Sequence, residues 1–225
     1  MPTPIDLKAP IYPDCFYHVV FKSIDGLLLF NHEKDHCVFQ DRFKKFLGDF
    51  VAIWSFCLIP NHTHFVLKIK SRESINLFLG KLAHQNLTVS MKAFIANQNE
   101  ELLFNAMIER QVNSFMVSYA NYVNNKFNRK GGIFQKPFKR IKIEDESHLQ
   151  QAIIYTNANA QKHDLVNDFK TYSFSSYPLI IANDHYFIDA KSVIEFFESK
   201  EKFIRLHQEQ VDYFYGNNWP SSKLE

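Results

Sequence analysis

The chain has 225 residues, enough for one sizeable domain with extensions, and its 46% hydrophobic and 16% aromatic content is typical of a folded protein. A net charge of +2 neither requires nor excludes a polyanionic partner. The three cysteines lie far apart in apolar runs, which excludes a disulfide framework and a cysteine zinc site, and no apolar stretch reaches the length of a membrane span. We therefore expect a cytoplasmic protein without a membrane partner.

The first seventy residues predict a β-α-β-β arrangement. Residues 15–22 are rich in aromatic and β-branched side chains, as strands are. Between about residues 32 and 50, apolar side chains recur at helical spacing with charges between them. Residues 51–59 form a nearly continuous apolar run, and the turn Pro60-Asn61 leads directly into the next strand. This pattern predicts a hairpin of two buried strands.

The rest of the chain is predicted to be mainly helical. Residues 71–128 contain two helical runs and no strand, and Gly131-Gly132 provides the stop signal. Residues 138–143 alternate apolar and basic side chains, which indicates a fourth strand with one cationic face. A core helix is expected from about residue 145 to 162, and two further helices near 190–199 and 202–214. The last strand thus precedes the last core helix.

Two histidines, His62 and His64, are separated by one residue in the predicted third strand. Successive strand residues point to opposite faces, so both imidazoles lie on one face, whereas Thr63 and Phe65 lie on the other. Two imidazoles in this arrangement can bind one divalent ion, with a third ligand from elsewhere in the chain. The alternative is a pair of exposed strand histidines without a metal. His18 in the first strand is expected to be an ordinary sheet histidine.

A polar ridge is predicted on the helix that follows the fourth strand, where Gln151, Tyr155 and Asn159 lie at i, i+4 and i+8. If this helix packs across the histidine face, Asn159 can supply an oxygen ligand and Tyr155 can act as a nucleophile toward a phosphoryl group. Tyr119 and Tyr122 are rival nucleophiles, although their helix is predicted to pack in the core. A buried structural role for Tyr155 and a helix-capping role for Asn159 remain alternatives.

Five strings of the sequence resemble the single-tyrosine HUH transposases, and among them most the REP-associated tyrosine transposases. They follow the family's order over about residues 12–180. The strings are YHVV (17–20), CLIPNHTH (57–64), FNRKGGIFQKPFKR (127–140), YTNANAQKH (155–163) and SFSSY (173–177). The family's proline after the asparagine is Ala160 here, so we expect the helix to continue past this position.

The resemblance implies an α+β fold with a ferredoxin-like antiparallel sheet and packed helices. A catalytic domain at 12–180 would contain a long helical insertion at 71–128, and 181–225 would form a helical C-terminal extension. It implies Tyr155 as the nucleophile and His62, His64 and Asn159 as ligands of Mg²⁺ or Mn²⁺. The implied reaction is metal-dependent cleavage and strand transfer of single-stranded DNA at hairpin-containing sites, through a 5′-phosphotyrosine intermediate.

Basic residues near the fourth strand suit contacts with the DNA backbone. They are Arg129, Lys130, Lys136, Lys139, Arg140 and Lys142. An ordinary solvated face is the alternative for this cluster, and Phe134 and Phe138 are expected in the core rather than stacked on bases.

Two other functions remain open. A relaxase or rolling-circle initiator shares the histidine motif and the tyrosine chemistry, and a domesticated protein can bind a DNA hairpin without cleaving it. The DNA sequence recognised stays open as well, as does the choice between a monomer and a homodimer.

Overall fold

The computed structural model describes residues 7–216, with side chains described as far as residue 214. Its strands are β1 (Phe16–Lys22), β2 (Val51–Ile59), β3 (His62–Ile69) and β4 (Lys139–Ile143). Its helices are α1 (Glu33–Leu47), α2 (Arg72–Lys81), α3 (Val89–Ala96), α4 (Glu101–Lys126), α5 (Glu146–Lys162), α6 (Ser176–Ala182), α7 (Ala190–Phe196) and α8 (Lys200–Gly216). The strands form one antiparallel sheet in the order β2-β3-β1-β4. The predicted α+β class with a ferredoxin-like antiparallel sheet is confirmed.

Helices α1 and α4 cover one face of the sheet. Phe115 of α4 lies with its ring centroid 4.9 Å from that of Phe39, 5.2 Å from that of Phe43 and 5.5 Å from that of Phe21 on β1. Helix α4 therefore occupies the place of the second crossover helix in a ferredoxin-like core. Within the segment 71–128, which the sequence prediction describes as a helical insertion, α4 buries its apolar side in the core.

Helix α5 covers the opposite face of the sheet. The Ser55 hydroxyl on β2 donates to the Asn157 side-chain oxygen on α5 (3.2 Å), and the Asn157 amide nitrogen donates to Nε2 of His207 on α8 (2.9 Å). Strand β2 is thus buried on both faces, which explains its continuous apolar run. The predicted C-terminal extension packs onto α5 through α8, and its residues 217–225 lie outside the described residues. None of the described helices is long and apolar enough to span a membrane.

The basic residues of β4 lie on both faces of the sheet, which corrects the expectation of one cationic face. Arg140 and Lys142 pair with Val19 and Tyr17 of β1 and point toward the α1/α4 layer, whereas Lys139 points toward α5. Alternation along the strand forces this split, because Arg140 directly follows Lys139.

The β2–β3 turn is held in place by the connection between β1 and α1. The Pro60 carbonyl accepts a hydrogen bond from Leu29 N–H (2.6 Å), and the Asn61 carbonyl accepts one from Ser23 N–H (2.9 Å). The turn has two residues, as predicted, since Ile59 pairs directly with His62. These contacts fix the start of β3, where the two histidines lie.

Asp35 ties the start of α1 to α4 and is only 1% exposed. Its carboxylate accepts hydrogen bonds from the backbone N–H groups of Asn31 (2.8 Å) and His32 (2.9 Å), from the Tyr122 hydroxyl (2.7 Å) and from the Lys126 ammonium (2.6 Å). Burial raises the pKa of this carboxyl, but the hydrogen bonds from Lys126, Tyr122 and the two backbone groups outweigh burial and lower the pKa to about 2.

We expect Asp35→Ala to lower the free energy of unfolding at pH 7 by about 3 kcal/mol, because it removes the buried acceptor of one ion pair and three further hydrogen bonds. The folded-state pKa lies below the unfolded value of about 3.9, so this stabilisation is complete above the unfolded pKa and is lost as the pH falls toward about 2. Denaturant titrations of wild type and variant at pH 7 and near pH 2.5 measure the difference. An equal difference at both pH values would contradict the prediction.

Candidate active site

Strand β3 carries His62 and His64 on the face that α5 covers. Their ring centroids are 5.0 Å apart, and the side chains are 6% and 0% exposed. Phe65 points to the other face, where its ring centroid lies 4.7 Å from that of Phe43 on α1. The predicted alternation along this strand is therefore confirmed.

His18 of β1 belongs to the same cluster. Its Nε2 lies 3.1 Å from Nδ1 of His64, and the two rings stack with centroids 5.2 Å apart. The sequence prediction left His18 out as an ordinary sheet histidine. Only the pairing of β1 with β3, which places Val20 opposite His64 and His18 opposite Val66, shows that His18 and His64 share a face.

The polar ridge of α5 crosses this cluster. The Tyr155 ring centroid lies 5.8 Å from that of His64, and two helical turns later the His163 ring centroid lies 4.9 Å from that of His62. Asn159 lies between Tyr155 and His163 on the same helix face and is fully buried. Gln151, the first member of the predicted ridge, is exposed and lies outside this arrangement. His163, which the prediction omitted, continues the same i, i+4 spacing.

Three buried polar atoms at the centre of the site make no hydrogen bond within the described part of the chain. They are Nε2 of His64 and both side-chain amide atoms of Asn159. A buried polar atom without a partner costs about 1–3 kcal/mol, so a fold that keeps three of them together favours an additional bound group at this place.

The donor set fits a divalent cation bound by two imidazoles and one amide oxygen. Nδ1 of His62 lies 2.8 Å from the Asn61 side-chain oxygen, which can only accept, so the proton of the neutral ring is on Nδ1 and Nε2 carries the lone pair. Among the described residues no three His, Cys, Asp or Glu side chains are grouped to hold a metal ion. The resemblance implies Asn159 as the third ligand, and its amide oxygen has no hydrogen-bond partner among the described residues.

The electrostatics of the site favour a neutral His64. Burial lowers the pKa of its imidazole well below the usual value, and the charges of neighbouring groups lower it further. These groups are His18, His62, His163 and Lys162. A neutral imidazole has the lone pair that a metal ligand needs.

Lys162, which the sequence prediction also omitted, binds the candidate nucleophile. Its Nζ donates a hydrogen bond to the Tyr155 phenol oxygen at 2.9 Å and lies 4.9 Å from the centre of the ring. This contact exists because α5 continues past Asn159, as expected from Ala160, and brings Lys162 two turns beyond Tyr155 onto the same side of the helix.

The two rival tyrosines lie on the opposite side of the sheet. The Tyr119 hydroxyl donates to the Leu29 carbonyl (2.7 Å), and the Tyr122 hydroxyl donates to Asp35 (2.7 Å). Burial raises the pKa of both phenols, to about 12 for Tyr122. Their contacts are those of α4 packing on α1, as the sequence predicted.

Of the six predicted DNA-binding residues, Lys139 lies on the histidine face of the sheet. It pairs with Val20 on β1, and Val20 pairs with His64, so the three form one row across the sheet and Lys139 is two strands, or about 10 Å, from the histidine. Lys22 pairs directly with His62 on the same face and is exposed. The sequence prediction did not include Lys22, because its position depends on strand register.

The other predicted basic residues have different surroundings. Arg140 is 5% exposed, forms an ion pair with Glu109 and donates from Nε to the Ala9 carbonyl at 2.6 Å, so its guanidinium holds the N-terminal segment against β4. Lys142 is half-buried and forms an ion pair with Glu144 at 3.2 Å. The remaining three lie in the loop between α4 and β4, with one half-buried and two exposed: Arg129, Lys130 and Lys136. Phe134 and Phe138 are buried in the core, as expected.

Comparison with solved structures identifies a protein of similar fold. A REP-associated tyrosine transposase, solved bound to a REP hairpin, matches 80% of this chain and 87% of its own, with a TM-score of 0.51 and 14% sequence identity. This chain shares the fold of that transposase. No known protein-family profile matches the sequence, and no curated protein sequence matches it either. The resemblance found in the sequence strings is thereby confirmed at the level of the fold.

Proposed function

We propose that this protein cleaves single-stranded DNA beside a hairpin by transferring the DNA to Tyr155, as the first half of a strand-transfer reaction. The observation that carries the proposal is the α5 ridge, which brings Tyr155 against His64 and His163 against His62. Asn159 lies between Tyr155 and His163 on this helix, and its side-chain amide has no hydrogen-bond partner among the described residues. The solved transposase of similar fold is bound to a REP hairpin, which supports a DNA hairpin as the substrate.

In this proposal His62, His64 and Asn159 hold Mg²⁺ or Mn²⁺. When bound, the ion supplies Lewis-acid polarisation of the scissile phosphate and neutralises part of its negative charge. The two imidazoles stand on a central strand and the amide on a packed helix, so the three ligands come from rigid elements.

Tyr155 and Lys162 carry out the covalent step in this proposal. The Tyr155 phenol oxygen forms a bond to phosphorus and the P–O3′ bond breaks, which leaves a 5′-phosphotyrosine and a free 3′-hydroxyl. The phenol loses its proton to solvent, and the departing 3′ oxygen takes one up. The Lys162 ammonium directs the phenol oxygen and stabilises the negative charge that it carries during attack.

A direct test is to incubate the protein with a labelled oligonucleotide that has a hairpin and single-stranded flanks, in Mn²⁺. We expect an SDS-resistant protein–DNA adduct and a released fragment with a 3′-hydroxyl, and neither product with EDTA. Binding of the hairpin without an adduct would favour a binding protein without cleavage. Equal cleavage of an oligonucleotide that lacks the hairpin would favour a relaxase-type activity. An oligonucleotide series with different stems and flanks provides the substrates.

We expect Lys162→Gln to slow adduct formation by about 10–100-fold, because a charge-assisted hydrogen bond that strengthens in the transition state is worth about 1.5–3 kcal/mol. Affinity for the hairpin should change much less. Single-turnover rates and binding isotherms separate the two effects. Lys191→Gln, an exposed lysine on α7, serves as the matched control. Equal rates for wild type and Lys162→Gln would remove Lys162 from the mechanism.

Lys22 and Lys139 are expected to bind DNA phosphates beside the histidines, on the β1 and β4 side of β3. Each substitution by alanine should weaken binding and reduce the slope of log K against log salt by about 0.7, the value for one phosphate contact with a single strand. Isotherms at four salt concentrations measure this slope. Lys81→Ala, an exposed lysine at the end of α2, should leave it unchanged. An unchanged slope for both β-sheet variants would place the DNA elsewhere.

A further inference from the structure

His64 contacts His18 through Nδ1, the ring nitrogen that is not the proposed metal ligand. Nδ1 of His64 lies 3.1 Å from Nε2 of His18, and the two side chains are 0% and 1% exposed. A hydrogen bond between two neutral imidazoles needs one donor and one acceptor, so the contact allows two arrangements of protons. Only one of them leaves Nε2 of His64 with its lone pair.

The proposed metal site requires one of the two arrangements. His62 donates from Nδ1 to the Asn61 side-chain oxygen, so its lone pair is on Nε2. If His64 likewise donates from Nδ1, to His18, both rings present Nε2 lone pairs on the face crossed by Asn159. In the reverse arrangement Nε2 of His64 would carry the proton and would have no lone pair for a cation in the proposed site.

We infer that His18 is a positioning residue that accepts the Nδ1–H of His64 and thereby directs the His64 Nε2 lone pair into the site. The inference rests on the proposed metal site, because it explains how one of its ligands is oriented. Because Nε2 of His18 accepts this hydrogen bond, the neutral His18 ring carries its own proton on Nδ1. The hydrogen-bonded partner of a histidine ligand fixes its ring orientation and proton position, and loss of such a partner typically weakens metal binding 10–100-fold.

Two measurements test this inference. The first is long-range ¹H–¹⁵N NMR of the metal-free wild type, in which His64 should show a protonated Nδ1 and an unprotonated Nε2. A protonated Nε2 would overturn the inference whether or not the protein binds a metal.

The second measurement is Mn²⁺ affinity by calorimetry. We expect His18→Leu to bind Mn²⁺ about 10–100-fold more weakly than wild type, and His18→Gln, whose side-chain oxygen can accept the same hydrogen bond, to recover most of this loss. Circular dichroism and denaturation confirm that each variant folds. If wild type binds Mn²⁺ and His18→Leu binds it equally well, the role of His18 is refuted while the metal site stands. If wild type binds no Mn²⁺, the proposed metal site fails, and the NMR result alone decides the proton position.

Discussion

Tyr155→Phe is expected to abolish the covalent DNA adduct completely while hairpin binding changes by less than about threefold. The substitution removes only the phenol oxygen that would bond to phosphorus, and the ring keeps its contacts with His18 and His64. Loss of a nucleophile cannot be compensated by binding energy, so the effect is on the chemical step alone. Denaturing gels detect the adduct, and fluorescence anisotropy with the same oligonucleotide measures binding.

Tyr122→Phe is the matched control for this substitution. Tyr122 is a rival tyrosine, but its hydroxyl donates to Asp35 on the other side of the sheet. We expect the Tyr122→Phe protein to lose about 1 kcal/mol of folding stability and to form the DNA adduct as fast as wild type. An adduct that persists in Tyr155→Phe and disappears in Tyr122→Phe would reverse the assignment of the nucleophile.

Asn159→Leu should stabilise the metal-free protein and abolish its response to metal. The wild-type amide is fully buried without a hydrogen bond among the described residues, so replacement by an apolar side chain of similar shape should raise the free energy of unfolding by about 1–2 kcal/mol in EDTA. Wild type should gain about 2.7 kcal/mol in Mn²⁺ at one hundred times its Kd, and the variant nothing. Denaturant titrations with EDTA and with Mn²⁺ measure both effects.

Asn157→Leu is the control on the same helix. Asn157 is equally buried, but its amide is hydrogen-bonded to Ser55 and to His207, so the same substitution should destabilise the protein in EDTA and preserve the gain in Mn²⁺. If Asn159→Leu destabilises the protein as Asn157→Leu does, Asn159 has a structural role. If Mn²⁺ stabilises Asn159→Leu as much as wild type, Asn159 is not a ligand.

The sequence was sufficient for features that lie within one element. Strand alternation places His62 and His64 on one face and Phe65 on the other, and helical spacing places Tyr155 and Asn159 on one ridge. The short helix α6 was missed, because seven residues beginning with Ser176-Tyr177-Pro178 carry too little apolar periodicity to be distinguished from a turn. The boundaries of β2 were predicted correctly, since burial on both faces gives an uninterrupted apolar run ended by Pro60.

The local sequence pattern could not predict where a helix or a basic side chain lies in the tertiary structure. Helix α4 shows the same periodicity whether it belongs to an insertion or to the crossover layer, and only its packing on Phe39 and Phe43 decides. Arg140 and Lys139 are adjacent basic residues with the same local pattern. In the structure, Arg140 forms an ion pair with Glu109, whereas Lys139 lies on the histidine face of the sheet.

By itself, therefore, the sequence determined the two histidines, the tyrosine and the asparagine as candidates, because backbone periodicity alone brings each pair together. The tertiary structure brings Tyr155 against His64, and it added His18, His163, Lys162 and Lys22 around them. For His18 and Lys22 the reason is strand register, which joins residues forty or more positions apart in the chain. For Asn159 the structure adds one property that the sequence does not show: its buried side-chain amide has no hydrogen-bond partner in the described core, which depends on tertiary packing.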